Sequence, residues 1–436
     1  MTDEIKERIN QYLGNNTPRC YQSQKYIGIA PRNWEVGKLS DVLHNKQRSV
    51  PKPEKSYWRL GLRSHAKGTF HEFVGDPEKN DMDELFVVRE NDLIVNITFA
   101  WEHAIALADK NDNGLLVSHR FPTYVFDDEN SPYYFKYVAI QKRFKEMLAN
   151  ISPGGAGRNR VMDRKDFLNL PCYIPPIMEQ QKIAQILTQC DKVITLKKER
   201  IEEEKKQKKW LMQKLLDPGS GVRLPGFRGM WKKKRIGELF SVGATFSASR
   251  EQLSKEGLLY LHYGDIHANT SSTINTVKDY ELIPKLNNNQ VNENTYLTDG
   301  DVVFVDASED YEGSCKFVVI ENPSNAPYIS GLHTIPLKSK TNELSIEFRK
   351  HIFHSYAVKL QIWYYVSGMK ILGINKQNIL RVAIQLPSVE EQTAIANILS
   401  LQDRKINLLE HELEQWQHKK KSLMQLLLTG IVRVKV

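Results

Sequence analysis

Two stretches of this chain say nearly the same thing. "PPIMEQQKIAQILTQCDKVITL" begins at Pro175 and "PSVEEQTAIANILSLQDRKINLL" begins at Pro387. At an offset of 391 − 179 = 212, Glu179, Gln180, Ile183, Ala184, Leu187, Asp191 and Ile194 meet Glu391, Gln392, Ile395, Ala396, Leu399, Asp403 and Ile406. Further on, Leu211-Met212-Gln213 meets Leu423-Met424-Gln425, and Leu215-Leu216 meets Leu427-Leu428, still without a gap. Unrelated segments do not hold identity and register together over so many turns, so the chain carries an internal duplication.

Both copies are predicted helices. Each follows a proline, carries glutamate in its first turn and lacks internal Gly or Pro until Pro218 and Gly430. Apolar residues recur at spacings of three and four, as one helical stripe requires. The helices run from about 179 to 216 and from about 391 to 428, roughly 57 Å each at the α-helical rise. A helix of that length with a narrow apolar stripe needs a partner, and the other copy is the obvious one. Ile194, Ile201, Leu409 and Trp416 are the residues expected to join them, in antiparallel pairing. The charged middle of the first copy, "KKERIEEEKKQKK", reads as a solvated face with i,i+4 ion pairs. Glu179, Gln180, Glu391 and Gln392 either serve the helix starts or face other subunits.

The duplication extends beyond the helices. "RNWEVGKLSDVL" resembles "GMWKKKRIGELF", with Trp231 following Trp34 at an offset of 231 − 34 = 197. The offset then grows by 212 − 197 = 15, so the second intervening segment is the longer. A Gly/Pro-rich link, "LLDPGSGVRLPGF", follows the first helix as a domain junction should. The division is therefore 1–26, a short helical segment; 27–173, a first module; 174–217, a first helical region; 218–385, a second module; and 386–436, a second helical region. "ENDLIVNIT" against "DGDVVFVDAS", and "LLVSHRFPTYVF" against "YISGLHTIPLK", read as strands, whereas "FKYVAIQKRFKEML" and "IEFRKHIFHSYAVKLQI" read as helices. The fold class is α+β: two like modules joined by two long antiparallel helices in a pseudo-two-fold repeat.

Composition narrows the function. The 61 Lys and Arg against 52 Asp and Glu leave a net charge of +9, which favours a polyanion such as nucleic acid. There is no apolar run of ~18 residues and no signal-peptide core, so a cytoplasmic chain without a membrane span is expected. The four cysteines fall in no CxxC or zinc pattern, and neither metal nor disulfide is expected. No phosphate-binding loop with its lysine occurs; "SPGGAG" lacks it. "NSPYY" and "NAPYI" read as turns, and His119 and His333 beside nearby serines form no triad.

A duplex is a natural target for two related modules held by paired helices, because its groove repeat lets them read separated half-sites. The paired "P-x-x-x-EQ-x-x-I-A-x-I-L" and "LMQ-x-LL" blocks, flanking two divergent segments, resemble the specificity subunits of type I restriction–modification enzymes. The resemblance runs from about Ile27 to the end of the chain. It implies two target-recognition domains that bind an asymmetric, split sequence in double-stranded DNA, and a scaffold for two modification subunits. Restriction subunits complete the assembly. It also implies no catalytic residue here, with S-adenosylmethionine, ATP and Mg on the partner subunits and no cofactor on this chain. The competing readings are a self-contained DNA methyltransferase or nuclease, and a coiled-coil adaptor for proteins only.

Candidate DNA contacts follow from side-chain chemistry: arginine for guanine and phosphate, Asn for adenine, lysine for charge. In the first module these are Arg59, Arg63, His65 and Lys67; Arg120; and Arg158, Asn159, Arg160 and Arg164 on a Gly-rich loop. In the second they are Arg250; His262, Tyr263 and His267; and Lys370, Asn375 and Lys376. Trp58 and Trp363 are expected in the core. If the helices act as a ruler, inserting four residues into the middle of the first should change the unread gap and spare both half-site sequences. Methylome sequencing reads both, and an altered half-site with an unchanged gap contradicts the ruler.

Overall fold

The computed structural model describes residues 3–14, 17–18, 20–154, 160–287 and 291–435. The chain divides into two compact units, residues 1–198 with 412–436, and residues 199–411. The long helices are Ile177–Leu215 and Val389–Leu428, so each unit holds one module and part of each helix.

In the first unit, the Trp34 lead-in opens a strand, Glu35–Lys38, that pairs antiparallel with Pro171–Ile174 directly before the first long helix. Between them lies a four-stranded sheet in the order Ile105–Leu107, Leu93–Val95, Thr123–Phe126, Leu43–Asn45. A second, five-stranded sheet contains the parallel contact of Leu116–Val117 with Tyr57–Leu62, and Thr69–Val74 forms its hairpin edge. The main core packs Trp34, Tyr124, Tyr134, Phe135 and Phe167 against Ile183, Ala184 and Leu187 of the first helix and Leu427 and Leu428 of the second. Gly430 ends the second helix in the left-handed region, φ +64°, where a Cβ would press on Pro31.

The second unit repeats this plan. Lys232–Arg235, after Trp231, pairs with Ala383–Leu386 before the second long helix. Its larger sheet runs Phe240–Val242, Thr334–Ser339, Val302–Val305, Phe317–Glu321, which is the first unit's order read from the opposite edge, and adds Thr273–Asn275 beyond it. Leu258–Leu261 and Tyr328–Ser330 form the parallel pair matching that of the first unit. The expected strands form in both modules, and the α+β reading holds. Each expected module helix is instead two: Pro132–Ala139 and Lys142–Asn150, then Ile346–Ile352 and Tyr356–Tyr365. Extended residues at Gln141 and Ser355 break the run and start the next helix, which helix propensity alone does not reveal.

The helices pair antiparallel within each unit. Asp191 takes Lys420 at 2.5 Å and Lys197 takes Glu412 at 2.6 Å in the first. Lys205 meets Glu410 at 2.8 Å, and Lys208 meets Asp403, in the second. Ile194 and Ile201 are buried as the stripe requires, whereas Leu409 and Trp416 are half-buried at its rim. The repeat breaks at one point. Glu204 is only 2% exposed and is held by Gln402 at 2.7 Å, Lys405 at 2.8 Å and Arg200 at 2.6 Å. The hydrogen bond from Lys405 does most to hold its carboxyl below the ordinary range. At the 212-residue offset the equivalents of Glu204, Gln402 and Lys405 are Trp416, Cys190 and Val193. A buried polar node in one half and an apolar one in the other distinguishes the pairing of unlike helices from like with like.

The helix starts decide between the two alternatives left open by the sequence. Glu179, Gln180, Glu391 and Gln392 are buried and satisfied inside their own units, so they do not present a face to other subunits. Gln180 accepts from the Ser131 N–H at 2.9 Å and donates to the Pro175 carbonyl at 2.8 Å. Gln392 does the same with Ser345 at 2.9 Å and Pro387 at 3.1 Å. Glu179 accepts from the Trp34 indole at 3.2 Å and from the guanidinium of Arg433. Glu391 is clamped by Arg223 at 2.7 and 2.6 Å. Each arginine follows the end of the other helix, in "GVR" at 221–223 and "IVR" at 431–433.

Two outcomes follow. Arg433→Ala strands the Glu179 carboxylate, and should lower stability by about 3 kcal/mol, the low end for a buried pair because Arg433 is itself partly exposed; thermal melting against wild type checks this. His351 and His354 are pushed down to about 3, by burial first and Lys208 next, so they stay neutral when folded. The unfolded chain protonates them below about 6.5. Stability should therefore fall as pH drops from about 6.5 towards 3, and the His351→Gln variant should show less proton uptake on unfolding.

Candidate nucleic-acid interface

In the first unit four loops meet beyond the sheets. The turn after Leu62 docks on the next loop, with His65 N–H to the Glu102 carbonyl and Ala66 N–H to the His103 carbonyl, both 2.8 Å. Ser64 adds a hydroxyl to the Glu102 carboxylate at 2.6 Å. Ile97 N–H donates to the Arg120 carbonyl at 3.0 Å, and Met162 N–H to the Ile97 carbonyl at 2.9 Å. Arg164 donates to the His119 carbonyl, Arg120 reaches the Thr98 hydroxyl at 3.4 Å, and Arg160 lies over the Trp101 ring at 5.6 Å. His65, Lys67, Arg120, Arg160 and Arg164 are thus carried on loops tied to one another. His65, Ala66 and His103 all take left-handed backbone, φ +62°, +51° and +68°. Non-glycine residues hold that conformation only where their surroundings impose it, as at functional sites.

Arg59 and Arg63 are less available. Arg59 faces Glu72 across the hairpin at 3.0 and 2.8 Å. Arg63 donates to the Thr69 carbonyl and covers the Phe70 ring at 5.4 Å. Trp58 corrects an expectation: it is 52% exposed, packed at 5.2 Å against the equally exposed Phe73 on the outer face of the hairpin. Arg158 and Asn159 lie outside the described residues.

The second unit assembles the matching loops. Asp306 N–H donates to the His333 carbonyl at 3.2 Å and Ile374 N–H to the Asp306 carbonyl at 2.9 Å, the counterparts of the Ile97–Arg120 and Met162–Ile97 bonds. His262 caps the helix Tyr263–Ala268, its ring nitrogen accepting from Gly264 N–H at 3.0 Å. Tyr263 is edge-on to His333 at 5.6 Å and to His267 at 6.1 Å. His267 bonds the Ala307 carbonyl at 3.0 Å and His333 the Asp306 carboxylate at 3.2 Å. Asn375 spends its side-chain oxygen capping the helix Lys376–Arg381, accepting from Asn378 N–H at 2.8 Å, just as Asp163 caps Arg164–Leu168. Lys370 and Lys376 are exposed. Arg250 begins a short helical turn apart from these bonded loops in the sequence.

Residue chemistry alone passed over Thr98, Trp101 and His333. His333 occupies the place of Arg120, and the signal was the pairing of "SHRF" with "SGLHT" already visible in the repeat. Both clusters combine cationic or imidazole groups with an aromatic ring on hydrogen-bonded loops, the half-buried Trp101 in one and the exposed Tyr263 in the other, a combination suited to phosphate and base edges. Among the described residues, no group of three or more His, Cys, Asp or Glu is placed to hold a metal ion. No described helix is long and apolar enough to cross a membrane.

Comparison with known proteins bears on both units. The family model for the type I restriction modification DNA specificity domain matches residues 31–205 and again 229–417. The specificity subunit of the type I restriction enzyme MjaVIII of Methanocaldococcus jannaschii is 25% identical over 420 residues, spanning 93% of this chain and 94% of that protein. A chain solved in work on complex assembly and conformational transition of a type I restriction–modification system has a similar fold, with TM-score 0.57 at 16% identity, covering 93% of this chain and 99% of that one. The specificity subunit from M. genitalium has TM-score 0.55, also at 16% identity, over 91% and 96% of the two chains.

Proposed function

Because the chain belongs to the type I restriction–modification DNA specificity family, we propose that its two loop clusters each read one half of a split, asymmetric DNA sequence. The chain is a specificity subunit. The observation that carries the reading is the equivalence of the two clusters: bonds of the same kind tie 97, 120 and 162 in one unit and 306, 333 and 374 in the other. A shared scaffold with unlike side chains is what two half-sites of unlike sequence require. Arg120 and Arg164 are assigned to the first half-site, and Tyr263, His267 and His333 to the second. His65, Lys67, Arg160, Lys370 and Lys376 supply phosphate contacts. Arg59, whose charge is met by Glu72, contributes least.

The rest of the assembly belongs to the same proposal. Two modification subunits bring S-adenosylmethionine and methylate adenine, and restriction subunits bring ATP and Mg. This chain holds none of these groups and supplies sequence choice and scaffolding. Methylome sequencing of cells carrying the chain with its modification partner gives the target. Arg120→Ala should relax or weaken only one half of the motif, and His333→Ala only the other. Loss of one base-reading arginine should cost about 1–3 kcal/mol, roughly 5–150-fold in affinity for that site. A contiguous motif, or one variant altering both halves together, contradicts the assignment.

A further inference from the structure

The second unit carries a short hairpin of which the readout described above uses only Lys370. Ser367 and Gly373 exchange both backbone hydrogen bonds, at 3.0 and 2.7 Å. Gly368 takes φ +133°, and a Cβ there would collide with the Ile371 carbonyl oxygen, so the turn is tightly built. Its base is fastened to the strand Ala307–Ser308, which pairs with Leu372–Gly373, and Leu372 and Ile374 are buried. At its tip Met369 is 101% exposed and Ile371 65% exposed. A constrained turn that holds two large apolar side chains in water gains nothing for its own fold, and such exposure marks a contact surface.

The flanking charge selects the partner. From Val366 to Arg381 the chain carries Lys370, Lys376 and Arg381 and no carboxylate. The strand that fastens the hairpin includes Ala307, whose carbonyl receives His267 of the proposed reading cluster. We propose that Met369 and Ile371 form a wedge that enters a DNA groove and unstacks a base step in the second half-site, with Lys370 on the adjoining phosphates. Apolar side chains beside a lysine are the chemistry by which proteins unstack and kink duplexes. The ease of deforming that step then adds sequence preference at a position no side chain reads by hydrogen bonds.

The wedge rests on the DNA-reading role, and one experiment separates them. The purified complex is mixed with its methylated motif's duplex, carrying 2-aminopurine at successive positions of the second half-site other than the methylated adenine. Wild type should raise the fluorescence severalfold at one step. Met369→Ala/Ile371→Ala should abolish that rise and weaken binding about tenfold, while Met369→Leu/Ile371→Leu keeps both; each melts like wild type, since the side chains are exposed. Selective binding by wild type with flat fluorescence at every position overturns the wedge alone. So does a double-alanine variant that keeps the rise, or one that binds DNA normally but loses its modification subunit, which would make the tip a protein contact. Failure of wild type to prefer its motif overturns the reading role itself.

Discussion

A buried glutamate at the start of each long helix is the interaction on which each unit depends. A carboxylate taken out of water is costly unless charge and hydrogen bonds replace its hydration. Glu179 receives Arg433 and the Trp34 indole; Glu391 receives Arg223. The arginine comes from just beyond the end of the other helix, so the ion pair forms only when the two helices run antiparallel and in register. The glutamine beside it turns towards the module and binds the backbone that opens a module helix. Two adjacent residues thus tie three parts of each unit: module, helix start and returning helix end.

The two latches are not identical, and the difference is informative. In the first unit the tryptophan donates to the glutamate. In the second Arg223 lies over the Trp231 ring at 5.9 Å, and the buried indole nitrogen has no hydrogen-bond partner among the described residues. The second latch keeps the charge pair and gives up one hydrogen bond. The same difference shows along the helices, where Glu204, Gln402 and Lys405 of one half stand opposite Trp416, Cys190 and Val193 in the repeat. The buried polar node formed by Glu204, Gln402 and Lys405 needs one residue set from each helix, so it specifies pairing between the two unlike copies.

The modules follow a similar rule. Their sheets keep strand order and their helices keep position, because both pack against the long helices. Their loops keep the backbone bonds that fasten them together and change the side chains those bonds present. One module offers arginines beside Trp101, the other histidines around Tyr263. Specificity can then diverge without disturbing the core, since loop side chains carry little of the packing.

The duplication, the two long helices, the family and most strands were legible in the sequence, because each depends on spacing along the chain. Periodicity places Ile194 and Ile201 on the buried stripe without reference to anything distant. Whether Glu179 was a partner-facing charge or an internal latch was not legible, because the answer lies in Arg433, far along the chain. The same is true of Arg59, whose charge is met by Glu72 on the neighbouring strand, and of Trp58, exposed by the hairpin's orientation. His333 takes the place of Arg120 only when two loops are folded onto their strands. Sequence determines what a segment can become by itself; which charges are satisfied, and by whom, is decided when the chain brings distant residues together, since desolvation and pairing are properties of the folded neighbourhood.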